Sequence, residues 1–161
     1  MNTRRVDSRR RFGVAAAALA AALSMAAATA QAQSDPASPV GLWKNIDDET
    51  KQPKALIRIR EDGGVLSGRI EKILTEKTDA VCDKCTDERK DKPVQGMTII
   101  EDMRASADEP GLFDGGRILD PNNGKVYRSR MRLVEGGQRL EVRGYIGAPL
   151  FGRTQTWIRE P

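Results

Sequence analysis

The chain contains no histidine, and only two of its 161 residues are cysteine. Without imidazole, the usual general base near neutral pH is missing, and Ser-His-Asp and H-E-x-x-H arrangements go with it. A structural zinc site needs four ligands, and Cys82 and Cys85 have no further soft partner. G-x-S-x-G, a phosphate loop and the EF-hand spacing are all absent from the sequence. The carboxylates that remain suit catalysis poorly. Asp47 and Asp48 are neighbours and point to opposite faces of a strand, while Asp120-Pro121 reads as turn chemistry. These absences predict a protein without catalytic residues, metal or cofactor. No stretch after residue 32 sustains an apolar stripe of period 3.6, which argues against a helical architecture.

What is present begins with an export signal. Arg4, Arg5, Arg9, Arg10 and Arg11 form a basic head, and residues 14–30 are apolar and alanine-rich. Ala30-Gln31-Ala32 supplies the small-x-small site that signal peptidase cleaves. The apolar stretch is too short and too rich in Ala for a membrane-spanning helix. Residues 1–32 are therefore expected to be removed near Ala32, leaving the protein in the periplasm or outside the cell. Ser8-Arg9-Arg10-Arg11-Phe12 also fits the twin-arginine pattern; Sec export is the preferred reading. No cysteine lies near the cleavage site to carry a lipid anchor.

Cleavage removes the basic excess. The chain's 27 basic and 23 acidic groups include five arginines and one aspartate before Gln33, so 22 of each sign remain. Nucleic acid is thus not an expected partner. The remaining charge is polarised, with residues 117–161 holding nine basic and four acidic groups. Residues 33–39, polar and with two prolines, are expected to form a disordered leader before a single domain at 40–161.

The dominant period in that domain is two. Ala55, Ile57 and Ile59 alternate with Lys54, Arg58 and Arg60, and Leu66, Gly68, Ile70 and Leu74 alternate again after Gly63-Gly64. A two-residue glycine loop makes this a hairpin with Ile57 facing Ile70 and Ile59 facing Gly68. A second hairpin puts Tyr127, Ser129, Met131 and Leu133 on one face, turns at Gly136-Gly137, and returns through Leu140, Val142, Gly144 and Ile146. Its register pairs Leu133 with Leu140 and Met131 with Val142 inside. Outside, it pairs Arg132 with Glu141, Arg130 with Arg143 and Arg128 with Tyr145. Further strands are expected at 40–46, 97–103, 116–119 and 152–159. About eight short strands with tight turns predict an all-β, single antiparallel barrel, closed so that no edge is left unpaired. One long polar loop, 75–95, interrupts the pattern and contains both cysteines.

A longer string then becomes recognisable. Gly41-Leu42-Trp43 is the G-x-W that opens lipocalin-like barrels, in which a basic residue of the last strand packs across the tryptophan; Arg159 is the matching position. With it come Asp47-Asp48, Cys82-x-x-Cys85, Lys92-Pro93-x-x-Gly96-Met97 and Gly116-x-Ile118-Leu119-Asp120-Pro121-x-x-Gly124-Lys125-x-Tyr127. Val142-Arg143-Gly144-Tyr145-Ile146-Gly147 and Gly152-Arg153-x-x-x-Trp157 complete it. Together these resemble domain-of-unknown-function family 2147, a family of secreted bacterial proteins with a lipocalin-like, calycin-type barrel. The resemblance implies a fold and lends no reaction.

The candidate sites emerge from faces and charges. Cys82-Asp83-Lys84-Cys85 reads as a redox pair, a metal half-site or a structural disulfide. The strand-and-loop setting and the export signal favour a disulfide that fixes the long loop. In the last strand, Trp157 is expected to point inward, taking Arg153, Gln155 and Arg159 with it. Trp43, Tyr127, Arg153, Trp157 and Arg159 are then the expected ligand-binding set, with the arginines anchoring an anionic head. Arg128, Arg130, Arg132 and Arg143, with Tyr145 beside them, form an outer face for an anionic partner such as lipid or lipopolysaccharide, or for carboxylates of the chain itself. The expected function is non-catalytic binding of a small amphipathic or lipid-like envelope ligand. The alternative is an interaction module that binds or inhibits an envelope protein, in the manner of an immunity protein, through the long loop and the arginine face.

Overall fold

The computed structural model describes residues 35–161, so the expected export signal lies outside the described residues. Eight antiparallel strands run in chain order: β1 (Gly41–Ile46), β2 (Pro53–Asp62), β3 (Val65–Ile73), β4 (Thr98–Ala105), β5 (Leu112–Asp120), β6 (Lys125–Val134), β7 (Arg139–Tyr145) and β8 (Gly152–Glu160). Each pairs with its sequence neighbours, and β1 meets β8 from Leu42↔Glu160 to Asn45↔Trp157, which closes the barrel.

Both hairpins adopt the register that their alternation dictates. Ile57 pairs with Ile70 and Ile59 with Gly68 across β2 and β3. The alternation then slips: Leu56 pairs with Lys72, leaving Glu71 as the extra residue of a bulge. A bulge reverses the facing of the strand residues beyond it. Ile73 is therefore buried at the position that the simple alternation assigns to Leu74. Across β6 and β7, Leu133↔Leu140, Met131↔Val142, Arg132↔Glu141, Arg130↔Arg143 and Arg128↔Tyr145 all form. Their loop is four residues long rather than two, because Val134↔Arg139 is the last pair and the Gln138 carbonyl instead accepts the Arg159 amide of β8.

The barrel interior is divided along its axis. Trp43, Ile59, Leu66, Met103, Met131 and Leu140, all essentially excluded from solvent, fill the end where β1 begins and β8 finishes. Arg159 seals that end. Its guanidinium lies 4.3 Å from the Trp43 ring centroid and donates to the carbonyls of Gly137 (2.6 Å), Ser38 (2.7 Å) and Val40 (3.1 Å). The Trp43 indole donates to the Pro39 carbonyl at 2.7 Å. Ser38 and Pro39, expected in a disordered leader, are thus tied to the barrel in the structure. Gly137, at φ 84°, admits this crossing: a Cβ there would lie 2.1 Å from the Pro36 carbonyl oxygen.

Candidate functional site

The opposite end is hollow. A cavity of about 830 Å3 occupies the half of the barrel bounded by the 47–52, 74–97, 121–124 and 146–151 connections. Inward positions of β2, β3, β7 and β8 form its apolar wall through Ile57, Ile70, Ile73, Val142 and Trp157. They face inward because the pleat sends every second side chain to one side and apolar groups gain by leaving water. A polar pair, Asn45 and Gln155, sits in that wall. The Gln155 amide oxygen accepts from Asn45 Nδ2 at 2.9 Å and from the Trp157 indole at 3.3 Å.

Two loops shape the mouth. The long loop folds over one side, contributing Thr75, Lys77, Ala80 and Val81 to the lining. Cys82 and Cys85 are joined by a disulfide, the structural one of the three readings their spacing allowed. The ring lies at the centre of a local frame: Val81 bridges Pro93, the Cys82 amide donates to the Lys92 carbonyl at 2.9 Å, and Val94 donates to Ala80 at 2.8 Å. The β5–β6 turn docks on it. Asp120 accepts hydrogen bonds from the Asn122 amide (3.0 Å) and from the Asn123 side chain (2.9 Å), and Lys84 Nζ reaches the Asn122 carbonyl at 3.1 Å. Gly124, at φ 70°, is pressed so closely that a Cβ would lie 1.9 Å from the Lys84 carbonyl oxygen. On the other side Arg153 Nε donates to Asp48 Oδ2 at 2.5 Å, tying the start of β8 to the β1–β2 loop. That bond holds the Asp48 carboxyl below the usual carboxylate range. In the same loop the Thr50 amide, helped by Lys54, holds Asp47 far below it.

The five residues expected to bind a ligand are therefore spread along the axis. Trp157, Tyr127 and Arg153 line the cavity, at depth, near the mouth and at the lip respectively. Trp157 is inward, as its place in the alternation predicts. Trp43 and Arg159 lie at the sealed end, outside the lining, where their charge and ring satisfy each other. On the outer face, Arg143 donates to the carbonyls of Pro149 and Leu150 and to the Thr154 hydroxyl, and Arg132 pairs with Glu109. Arg128 and Arg130 make no ion pair among the described residues. Tyr145 stands at the lip of the cavity. Sequence reasoning missed Asn45 and Gln155 as a polar pair in the wall. It also missed the 146–151 connection, whose uncharged Ile146 and Leu150-Phe151 between two strands were a readable signal.

The family model described as "Uncharacterized protein conserved in bacteria (DUF2147)" matches residues 41–159, nearly the whole barrel. The chain belongs to this family. No curated protein matches its sequence. Among solved structures, it is similar to protein HP1028 from the human pathogen Helicobacter pylori, described as belonging to the lipocalin family. The identity is 15%, the TM-score 0.67, and the match spans 77% of this chain and 84% of that one. At that identity the likeness is one of fold, a lipocalin-like barrel. The interior of this DUF2147 barrel is packed at one end and hollow at the other.

Proposed function

We propose that this protein is a non-catalytic binding protein of the cell envelope, exported by its N-terminal signal, which carries a small amphipathic or lipid-like ligand in the barrel. The observation that carries the reading is the cavity. Its size falls within the range of about 300–1,000 Å3 usual for small-molecule sites, and it is apolar in its wall with a few placed polar groups. An acyl or similar chain would lie against Ile57, Ile70, Ile73 and Val142, and a polar head would reach Lys77, Tyr127 and Arg153 at the mouth. Native mass spectrometry of protein taken gently from its host tests this. A satellite mass that vanishes on denaturation is the expected result. A clean polypeptide mass, with no uptake of fluorescent fatty-acid analogues, would overturn it.

A further inference from the structure

The connection from β7 to β8 is built in an unusual way for a surface loop. Ile146, Leu150 and Phe151 are 68%, 80% and 75% exposed, and residues 146–152 carry no charge. Side chains of this size normally fold back into the nearest apolar space, and the cavity is next to them. They are held out instead. The Arg143 guanidinium grips the Pro149 and Leu150 carbonyls (2.6 and 3.2 Å) and the Thr154 hydroxyl (2.7 Å), while the Phe151 amide closes a turn on the Ala148 carbonyl. Beneath the loop, on the outer face of the barrel, lies a second cavity of about 330 Å3 lined by Arg130, Arg132, Arg143 and Thr154, with Glu141 as its one carboxylate. Arg132 is neutralised by Glu109 and Arg143 is committed to the loop. Arg130 stands opposite Arg143 in the ladder without an acidic partner among the described residues. A like-charge cross-strand pair is unfavourable until an anion bridges it.

Apolar side chains projecting beside a basic cleft match the chemistry of an anionic bilayer, which offers phosphates at its surface and acyl chains just below them. We propose that this face docks the protein on an anionic phospholipid membrane. Leu150 and Phe151 enter the acyl boundary, and Arg130 takes a lipid phosphate in the positive field it shares with Arg143. Ile146, Leu150 and Phe151 also form the lip of the main cavity, so docking turns its mouth toward the lipid. The docking does not depend on the cavity being loaded.

Co-sedimentation with vesicles of equal parts phosphatidylcholine and phosphatidylglycerol, set against phosphatidylcholine alone, tests it. The unaltered protein is expected to bind the mixed vesicles preferentially and less at high salt. The Leu150→Ser/Phe151→Ser variant is expected to bind about tenfold or more weakly. Arg130→Glu is expected to bind about fivefold or more weakly and to lose most of the salt dependence. All these side chains lie at the surface, so an unchanged melting temperature separates lost docking from lost fold. No binding by the unaltered protein, equal binding to both vesicle types, or undiminished binding by either variant overturns the proposal.

Discussion

Replacing Arg159 by Met separates two roles for an arginine that the sequence places on the same strand face as Arg153. Arg159 donates to three main-chain carbonyls and stacks on Trp43. Hydrogen bonds to a charged group contribute about 1.5–3 kcal/mol each, and the cation–π contact about 0.5–2 kcal/mol. Water replaces part of this at the barrel end, so the net loss is about 3–5 kcal/mol, a large share of the roughly 5–15 kcal/mol that holds a domain folded. At about 3–5 °C per kcal/mol for a barrel of this size, the melting temperature should fall by about 10–20 °C. Arg159→Lys keeps the charge but cannot fork to three carbonyls, and should fall between the two. Arg153→Met removes an exposed pair with Asp48 and should cost no more than about 1 kcal/mol. Urea unfolding followed by fluorescence reads all three, with Trp43 reporting directly on the plug. Equal costs for Arg159→Met and Arg153→Met, or a loss of carried ligand without a loss of stability in Arg159→Met, would refute the assignment of Arg159 to the seal.

Four further outcomes are expected. Val142→Trp projects an indole into the cavity from a buried wall position and should abolish the native-mass satellite while the barrel's circular dichroism is retained. Opening the disulfide with Cys82→Ser/Cys85→Ser releases no long ring, so unfolding free energy should drop by only about 2 kcal/mol; hydrogen exchange should accelerate at 76–95 and stay slow in the strands. The Ser129 hydroxyl is buried without a hydrogen-bond partner among the described residues, so Ser129→Ala should leave stability unchanged or raise it by up to about 1 kcal/mol in chemical denaturation. The Asp48 carboxyl is held below its ordinary 3.8 by Arg153, so its contribution is complete above that pH and is lost as pH falls through the lowered value. Protection of the 47–52 amides, relative to their intrinsic exchange rate, should therefore fall under acid, and Arg153→Met should shift the onset toward pH 3.8.

The strands were legible because each hairpin has one buried face, and a slip by one residue would set arginines against leucines. The same logic failed at Glu71, where a bulge reverses facing without any change in composition. β5 starts at Leu112, four positions before the expected 116, because its pairing with β6 shifts between Phe113 and Gly116 and breaks the alternation there. The site was legible as a face and not as a height. Arg153, Gln155, Trp157 and Arg159 share a side of β8, yet the structure sets them at the lip, the wall, the depth and the seal. Period two says which side a residue takes; only the closed pairing of eight strands says how far down the barrel it lies.

That axial separation has a consequence for how function and stability trade against each other. Stability is concentrated where Trp43, Met103, Met131 and Leu140 pack under the Arg159 seal. The mouth is made of connections, framed locally by the disulfide, by Asp120 and by the Asp48–Arg153 pair. Arg159 and the 146–151 loop have no hydrogen-bond partner in common among the described residues, and substitutions so separated act independently to within about 0.5 kcal/mol. Variants of the 146–151 loop should therefore change what is bound while leaving the denaturation midpoint in place, and seal variants should do the reverse. A double variant of Arg159→Met with Leu150→Ser/Phe151→Ser makes this sharp enough to test: its unfolding free energy should equal that of Arg159→Met, and its vesicle binding should equal that of the loop variant. Coupling between the two ends would mean that the cavity relays strain down the barrel and that the mouth is not a separate module.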